Sequence, residues 1–264
     1  MAAFSSLTPA LTASAAAVYI VSTAAARRPG GQAYAKVAVI VAWLLHGAAI
    51  AAGLFAAVPH FGFAPALSVT LWLVIMVYLI ERHFYPQLRS HWAVTLAGGA
   101  SVILAAVFPG RPIPVTGSPL LPLHFASGVS AYGMFAAAVI HARMMRRAEE
   151  RMRRGEVQGD LPVLTLERLM FRFVWAGFIL LTCTVAAGAL FGQSLYGDAY
   201  THWRIDHKRV FTVMSWAVFA VLLIGRKRFG WRGRRAVWGV NAGALFLLLG
   251  YVGSRFVFEV LLKR

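Results

Sequence analysis

Residues 194–216, SLYGDAYTHWRIDHKRVFTVMSW, pass abruptly from a polar loop holding two histidines into a long apolar run that opens near His207. Such a change marks a chain leaving water for lipid, where every backbone N–H and C=O must be paired within the segment and a helix achieves this. The same alternation recurs along the whole sequence. With 59% hydrophobic and only 13% charged residues, the chain cannot solvate itself as an ordinary soluble domain. Runs of about 20 mostly apolar residues count as spans, and eight emerge, near 7–26, 37–58, 65–81, 91–108, 122–142, 170–191, 208–225 and 236–259. The expected fold class is an all-α polytopic membrane protein, a bundle of about eight transmembrane helices forming a single transmembrane domain over 1–264. The first run lacks a basic segment before it and its arginines follow it, so it reads as a retained helix rather than a signal peptide.

The net charge of +17 invites a nucleic-acid reading, but its distribution argues for the positive-inside rule instead. Arg27, Arg28, Lys36, Arg82, Arg89, the arginines between 143 and 172, and the basic residues between 226 and 235 fall on one side, nineteen in all; Arg111, Arg204, Lys208, Arg209, Arg255, Lys263 and Arg264 fall on the other. That imbalance puts both termini and the 194–216 loop on the non-cytoplasmic side of the membrane. Nucleic acid is not an expected partner; membrane lipid is. The basic connection at 143–169 is the sizeable cytoplasmic segment, an Arg/Glu-patterned helical extension before Gly155 that suits anionic head groups. Leu161-Pro162 with Thr165 and Glu167 then marks a helix start. Cys183 stands alone mid-span, so neither a disulfide framework nor a Cys-x-x-Cys redox pair is present.

An ionisable side chain within a span is costly and turns toward a partner or cavity. His46 lies halfway along the second run, and Ala42, His46, Ala49 and Gly53 share one helical face. Either His46 bonds a neighbouring helix, or the small residues leave room for a flat ligand. His60 reads as a solvated loop residue, and His83 and His91 as interfacial anchors. Phe108 to Pro114 is too proline-rich for regular structure. In the fifth run His124, Ser127, Gly128 and Ala131 share a face, again joining an imidazole to small residues.

Residue types in the opening loop suit a metal porphyrin better than hydrolysis or transport. Haem iron takes a neutral imidazole, its propionates want cations, and the ring wants an apolar or aromatic floor. His202 and His207 are possible ligands, Arg204, Lys208 and Arg209 propionate partners, and Tyr196, Tyr200 and Trp203 ring contacts. Asp206 either orients His207 or caps the next helix. The competing reading is an interfacial belt of aromatic and basic side chains.

From His124 onward the chain resembles the CcsA-type cytochrome c assembly proteins, in particular their compact HemX/YpjD-like branch. The resemblance rests on LHFASGVSAYGMFAAAVIHA, LERLMFRFVWAGFILLTCTVAAGALFG, HWRIDHKRVFTVMSWAVFAVLLIGRKRFGWRGRR and YVGSRFVFE, with GWRGRR and LH-x5-S-x-Y the most distinctive pieces. It implies a cytochrome c assembly-type core over 120–259 and non-covalent, b-type haem held at the outer face beneath a tryptophan-rich loop. His124 matches the external histidine before that loop; Trp203, Asp206 and Lys208 match its tryptophan, aspartate and lysine. Ile205 stands where the family has a tryptophan and His207 where it has proline. The second external histidine of the full type has no counterpart before Arg264, which leaves His207 or His46 as rivals for the opposite axial position; His46 matches a histidine of the compact branch.

The resulting expectation is a protein that assists cytochrome c biogenesis by presenting haem near the outer face. His124, His207 and His46 are the candidate iron ligands, with Trp203 and Asp206 in the loop and Arg204, Lys208 and Arg209 toward the propionates. With no cysteine pair or acid/base cluster outside the loop, thioether formation would require a second assembly subunit, and apocytochrome c is the expected recipient. The alternatives are a transporter or a regulatory or structural membrane subunit that binds no haem. Against transport, the spans lack buried carboxylates and the two halves show no repeat of interrupted helices.

Overall fold

The apolar runs fold as helices whose glycines and alanines let neighbouring backbones come close. The structure is a computed structural model, which describes residues 2–56, 58–85, 92–112, 120–156, 161–192, 207–257 and 260. Among these residues eight long helices form, at or near the eight expected positions, and seven of them are long and apolar enough to cross a membrane. The chain divides into two compact units, 1–114 and 115–264.

The first unit contains α1 (Ala2–Arg27), α2 (Gln32–Leu54), α3 (Phe63–Phe84) and α4 (Trp92–Val107). At 16 residues, α4 is about 24 Å long and is the helix too short to count as a span by itself. The turn signal at Arg27–Gly31 ends α1: Gly30 takes a φ of +76°, and a β-carbon on Gly31 would lie 2.2 Å from the Ala25 carbonyl oxygen. Helix α1 packs on both α2 and α4, while α3 packs on α4 and touches α2. Ala15, Ala16 and Tyr19 of α1, Val39 and Ala42 of α2, Ile75 of α3 and Val102 of α4 make the buried core. A clasp joins α2 to α3. The Trp43 and Trp72 rings stack with centroids 5.1 Å apart, and each indole N–H donates to the other's carbonyl, at 3.1 and 3.0 Å. Two short strands, β1 (His60–Phe61) and β2 (Arg111–Pro112), pair antiparallel between the helices' connections.

The second unit holds α5 (Leu120–Arg153), α6 (Val163–Leu190), α7 (His207–Phe229) and α8 (Gly233–Leu248). They close a ring in which α5 packs on α6, α6 on α7, α7 on α8 and α8 on α5. The 34 residues of α5 extend about 51 Å, well beyond a hydrocarbon core of about 30 Å. Its basic second half is therefore the expected extension out of lipid, ended at Gly155 with a φ of +71°. At the centre, Phe135 and Phe219 stack with centroids 3.7 Å apart. Gly177 lies against Phe135 and Gly243 against Phe219.

Helix α6 begins at Val163, where Leu161-Pro162 marks a start in the sequence: the Pro162 carbonyl accepts the Leu166 N–H at 3.1 Å, and the charged turns before the apolar run near 170 stay helical at the membrane boundary. Glu167 of this helix and Glu81 of α3 are buried near the ends of their helices, contrary to the expectation that the spans hold no buried carboxylate. The last span is not one regular helix: α8 passes at Leu249–Gly253 into a π-helical turn and resumes as a short α segment, Ser254–Phe256.

Candidate functional site

His124 lies one turn into α5, at the end of the second unit opposite its basic connections. Its small-residue face meets α6: Thr184 Oγ1 donates to Ser127 Oγ at 2.9 Å, Gly128 lies against Thr184, and Ala131 is fully buried. The imidazole itself crosses to Gly188, where an added β-carbon would sit 3.6 Å from its Cε1. The imidazole thus rests along the α6 backbone at Gly188, between α5 and α6. Ser127 donates back to the His124 carbonyl at 3.0 Å, tying the turn that carries the ring.

Across the ring of helices, α7 opens with His207, Lys208 and Arg209. Lys208 is half-buried and close enough to His124 to act on it electrostatically, whereas His207 and Arg209 are exposed. Lys208 Nζ lies 4.9 Å from the centroid of the Tyr251 ring and Arg255 Cζ lies 5.9 Å from it, both within cation–π range. An imidazole, two cations and a phenol ring therefore gather at one end of the unit.

Tyr132 explains the placement of Tyr251. Its hydroxyl donates to the Leu247 carbonyl and takes the backbone N–H of Tyr251, the two groups that a regular α-helix would pair with each other. A side chain inserted into the i→i−4 ladder bends or widens a helix, and the π turn at Leu249–Gly253 begins where the hydroxyl enters. Two stretches that carried the family resemblance, LH-x5-S-x-Y and YVGSRFVFE, thus meet in one feature. Residue type alone does not single out Tyr132, Tyr251 or Arg255; their place within the distinctive stretches is the signal that could have found them.

The other histidines are placed as follows. His46, in the first unit, is fully buried; its Nδ1 shares a hydrogen bond with Tyr19 Oη at 3.2 Å and its Nε2 one with Ser68 Oγ at 2.7 Å. Both ring nitrogens are engaged, and Ala42, one turn before it, packs in a core with Ala15, Ala16 and Tyr19 of α1. His60 is exposed beside the Val58 carbonyl, at 2.8 Å from it, and His83 is exposed against Phe84. His141, which the sequence reading passed over, is buried in α5 with Nδ1 2.8 Å from the Ala137 carbonyl and its ring against Phe173. Trp203, Arg204 and Asp206, with Tyr196, Tyr200, His202 and His91, lie outside the described residues.

Among the described residues no three His, Cys, Asp or Glu side chains come together as a metal cage. The His124 end can instead give a single imidazole to a metal that brings its other donors with it, beside cations for that group's acids.

The family described as "Cytochrome C assembly protein" matches residues 5–262. The chain is 30% identical over 165 residues to the inner membrane protein YpjD of Escherichia coli (strain K12), a match spanning 61% of this chain and 61% of that protein. It is 32% identical over 210 residues to an uncharacterized 28.8 kDa protein of Azospirillum brasilense, covering 74% and 76% of the two chains. With the cytochrome c biogenesis protein CcsA of Prochlorococcus marinus it shares 24% over 212 residues, 73% of this chain and 62% of that one. The matched segments thus span less than two thirds of the E. coli and Prochlorococcus relatives. No solved structure matches. The apolar helices and the E. coli relative make this a multi-pass protein of the bacterial inner membrane. The match over nearly its whole length places the chain in the cytochrome c assembly protein family.

Proposed function

We propose that this protein handles haem for cytochrome c biogenesis, holding it at the non-cytoplasmic end of the second unit with His124 as an iron ligand. The observation that carries this reading is the joint placement of His124, Lys208, Tyr251 and Arg255 at one end of that unit. The residue types fit the group: an imidazole suits the iron, and Lys208 and Arg255, gathered on Tyr251, suit propionates. Haem, when bound non-covalently, supplies the iron porphyrin that a c-type cytochrome needs.

The chain's own contribution is to orient and retain. Packing against α6 and the Ser127 bond fix the turn carrying His124, while Tyr132 sets Tyr251 between two cations. By resemblance, Trp203 and Asp206 belong to the loop that would cover the porphyrin, and by residue type Arg204 and Arg209 would pair with its propionates. His207 is the favoured second ligand because it opens the helix that also brings Lys208. His46 is the less favoured rival, since ligation through Nε2 would break its bond to Ser68. Apocytochrome c and a second assembly subunit are the partners this function requires, and the charge bias supports an orientation with both termini outside.

Titrating haem into the detergent-purified chain tests the proposal. The expected result is a Soret band that His83→Ala keeps and His124→Ala loses. A wild-type protein that stays colourless with added haem would refute it.

A further inference from the structure

At the opposite end of the second unit, the distinctive GWRGRR stretch builds something the haem reading does not use. Trp231 folds over Gly225, where a β-carbon would lie 2.4 Å from the indole, and the Trp231 backbone N–H donates to the Gly225 carbonyl at 3.2 Å. The Trp231 carbonyl then accepts from Arg226 Nη1 at 3.2 Å, and the same guanidinium pairs with buried Glu167 at 2.6 Å. Arg226 is thereby held over the Phe171 ring, 4.6 Å from its centroid. Beside it lies a cleft of about 380 Å³ lined by Arg168, Phe171, Arg172, Trp175 and Arg226.

The charges in this cleft are unbalanced. Glu167 offsets Arg226, but among the described residues no carboxylate pairs with Arg168 or Arg172. On α6 the positions 168, 171, 172 and 175 are spaced i, i+3, i+4, i+7, so two guanidinium groups and two aromatic rings share one face. The stripe continues into the span through exposed Trp175 and Ile179. A cleft edged by two exposed guanidinium groups that runs directly into a lipid-facing apolar stripe matches an amphiphile in cross-section. A soluble anion would match only its polar half.

We propose that this cleft binds the phosphodiester head group of an anionic phospholipid, with Arg168 and Arg172 on the phosphate and an acyl chain along Trp175 and Ile179. Basic pockets between helices near a membrane surface are suited to such head groups. The Arg226–Glu167 pair shapes the wall of the cleft, and GWRGRR holds that pair in place.

Native mass spectrometry of the full detergent-purified chain, titrated separately with phosphatidylglycerol, phosphatidylcholine, glycerol phosphate and inorganic phosphate, tests the assignment. The expected result is one retained phosphatidylglycerol and no comparable retention of the others. Arg168→Ala and Arg172→Ala should each weaken that binding about five-fold. Arg228→Ala, an exposed cation at the same end but outside the cleft, should leave it unchanged. Equal loss in Arg228→Ala would reduce the effect to general surface charge, and tight binding of glycerol phosphate would make the site one for a soluble anion; either overturns the proposal. Because Arg168 and Arg172 are exposed, unchanged thermal midpoints should show that the folds are intact.

Discussion

His46 shows how one residue type serves two purposes in this chain. In the first unit its two ring nitrogens bridge Tyr19 of α1 and Ser68 of α3, so truncation would leave two buried hydroxyls without that partner. We expect His46→Ala to destabilise the protein by about 1–3 kcal/mol, read as a lower thermal midpoint, while bound haem remains in whatever protein stays folded. Loss of the haem spectrum at an unchanged midpoint would reverse the roles assigned to His46 and His124. The sequence shows that an imidazole midway along a span needs a partner. It does not show which one, because Tyr19 and Ser68 lie 27 and 22 residues away and Tyr19 sits in an alanine-rich helix that reads as scaffold. His141 escapes notice for a related reason: the carbonyl bonded to it belongs to its own helix, a contact with no signature in composition or spacing.

At the scale of elements, apolar run length makes the helices legible, whereas the interruption in the last one depends on another helix. Nothing within residues 249–253 demands a π turn; the Tyr132 hydroxyl from α5 accounts for it. Tyr132→Phe removes the hydroxyl and allows Leu247 and Tyr251 to pair directly. Hydrogen exchange should then show greater protection of the Tyr251 amide, with haem affinity lowered about ten-fold as Tyr251 shifts from its cations, a change of about 1.4 kcal/mol. Unchanged protection in that segment would count against the wedge. The central layer is governed by close approach: a β-carbon on Gly243 would fall 2.7 Å from Phe219. Gly243→Val should therefore cost about 1–3 kcal/mol through overpacking, seen as a lower thermal midpoint. A GxxxG-like pattern predicts that small residues face helices, and here Gly128 lies against Thr184 of α6 and Gly188 against His124 of α5.

For the molecule as a whole, the two units differ in character. The first is held by an alanine-rich core and a tryptophan clasp; the second carries the His124 cluster at one end and the arginine cleft at the other. The positive-inside bias assigns those ends to opposite sides of the membrane. In a Cys183→Ser background, Ser194→Cys should react with an impermeant maleimide added outside intact cells, and Arg147→Cys only after the cells are opened; the reverse pattern would invert the orientation. What the sequence could not supply at this scale was the meeting of distant motifs, because Tyr132 and Leu247 are 115 residues apart and only the helix ring brings them together. The central claim is that His124 ligates haem iron, and imidazole rescue tests it most directly. His124→Gly should lose the Soret band seen in wild type and recover it when free imidazole is added. A variant that keeps the wild-type spectrum without imidazole would contradict the account.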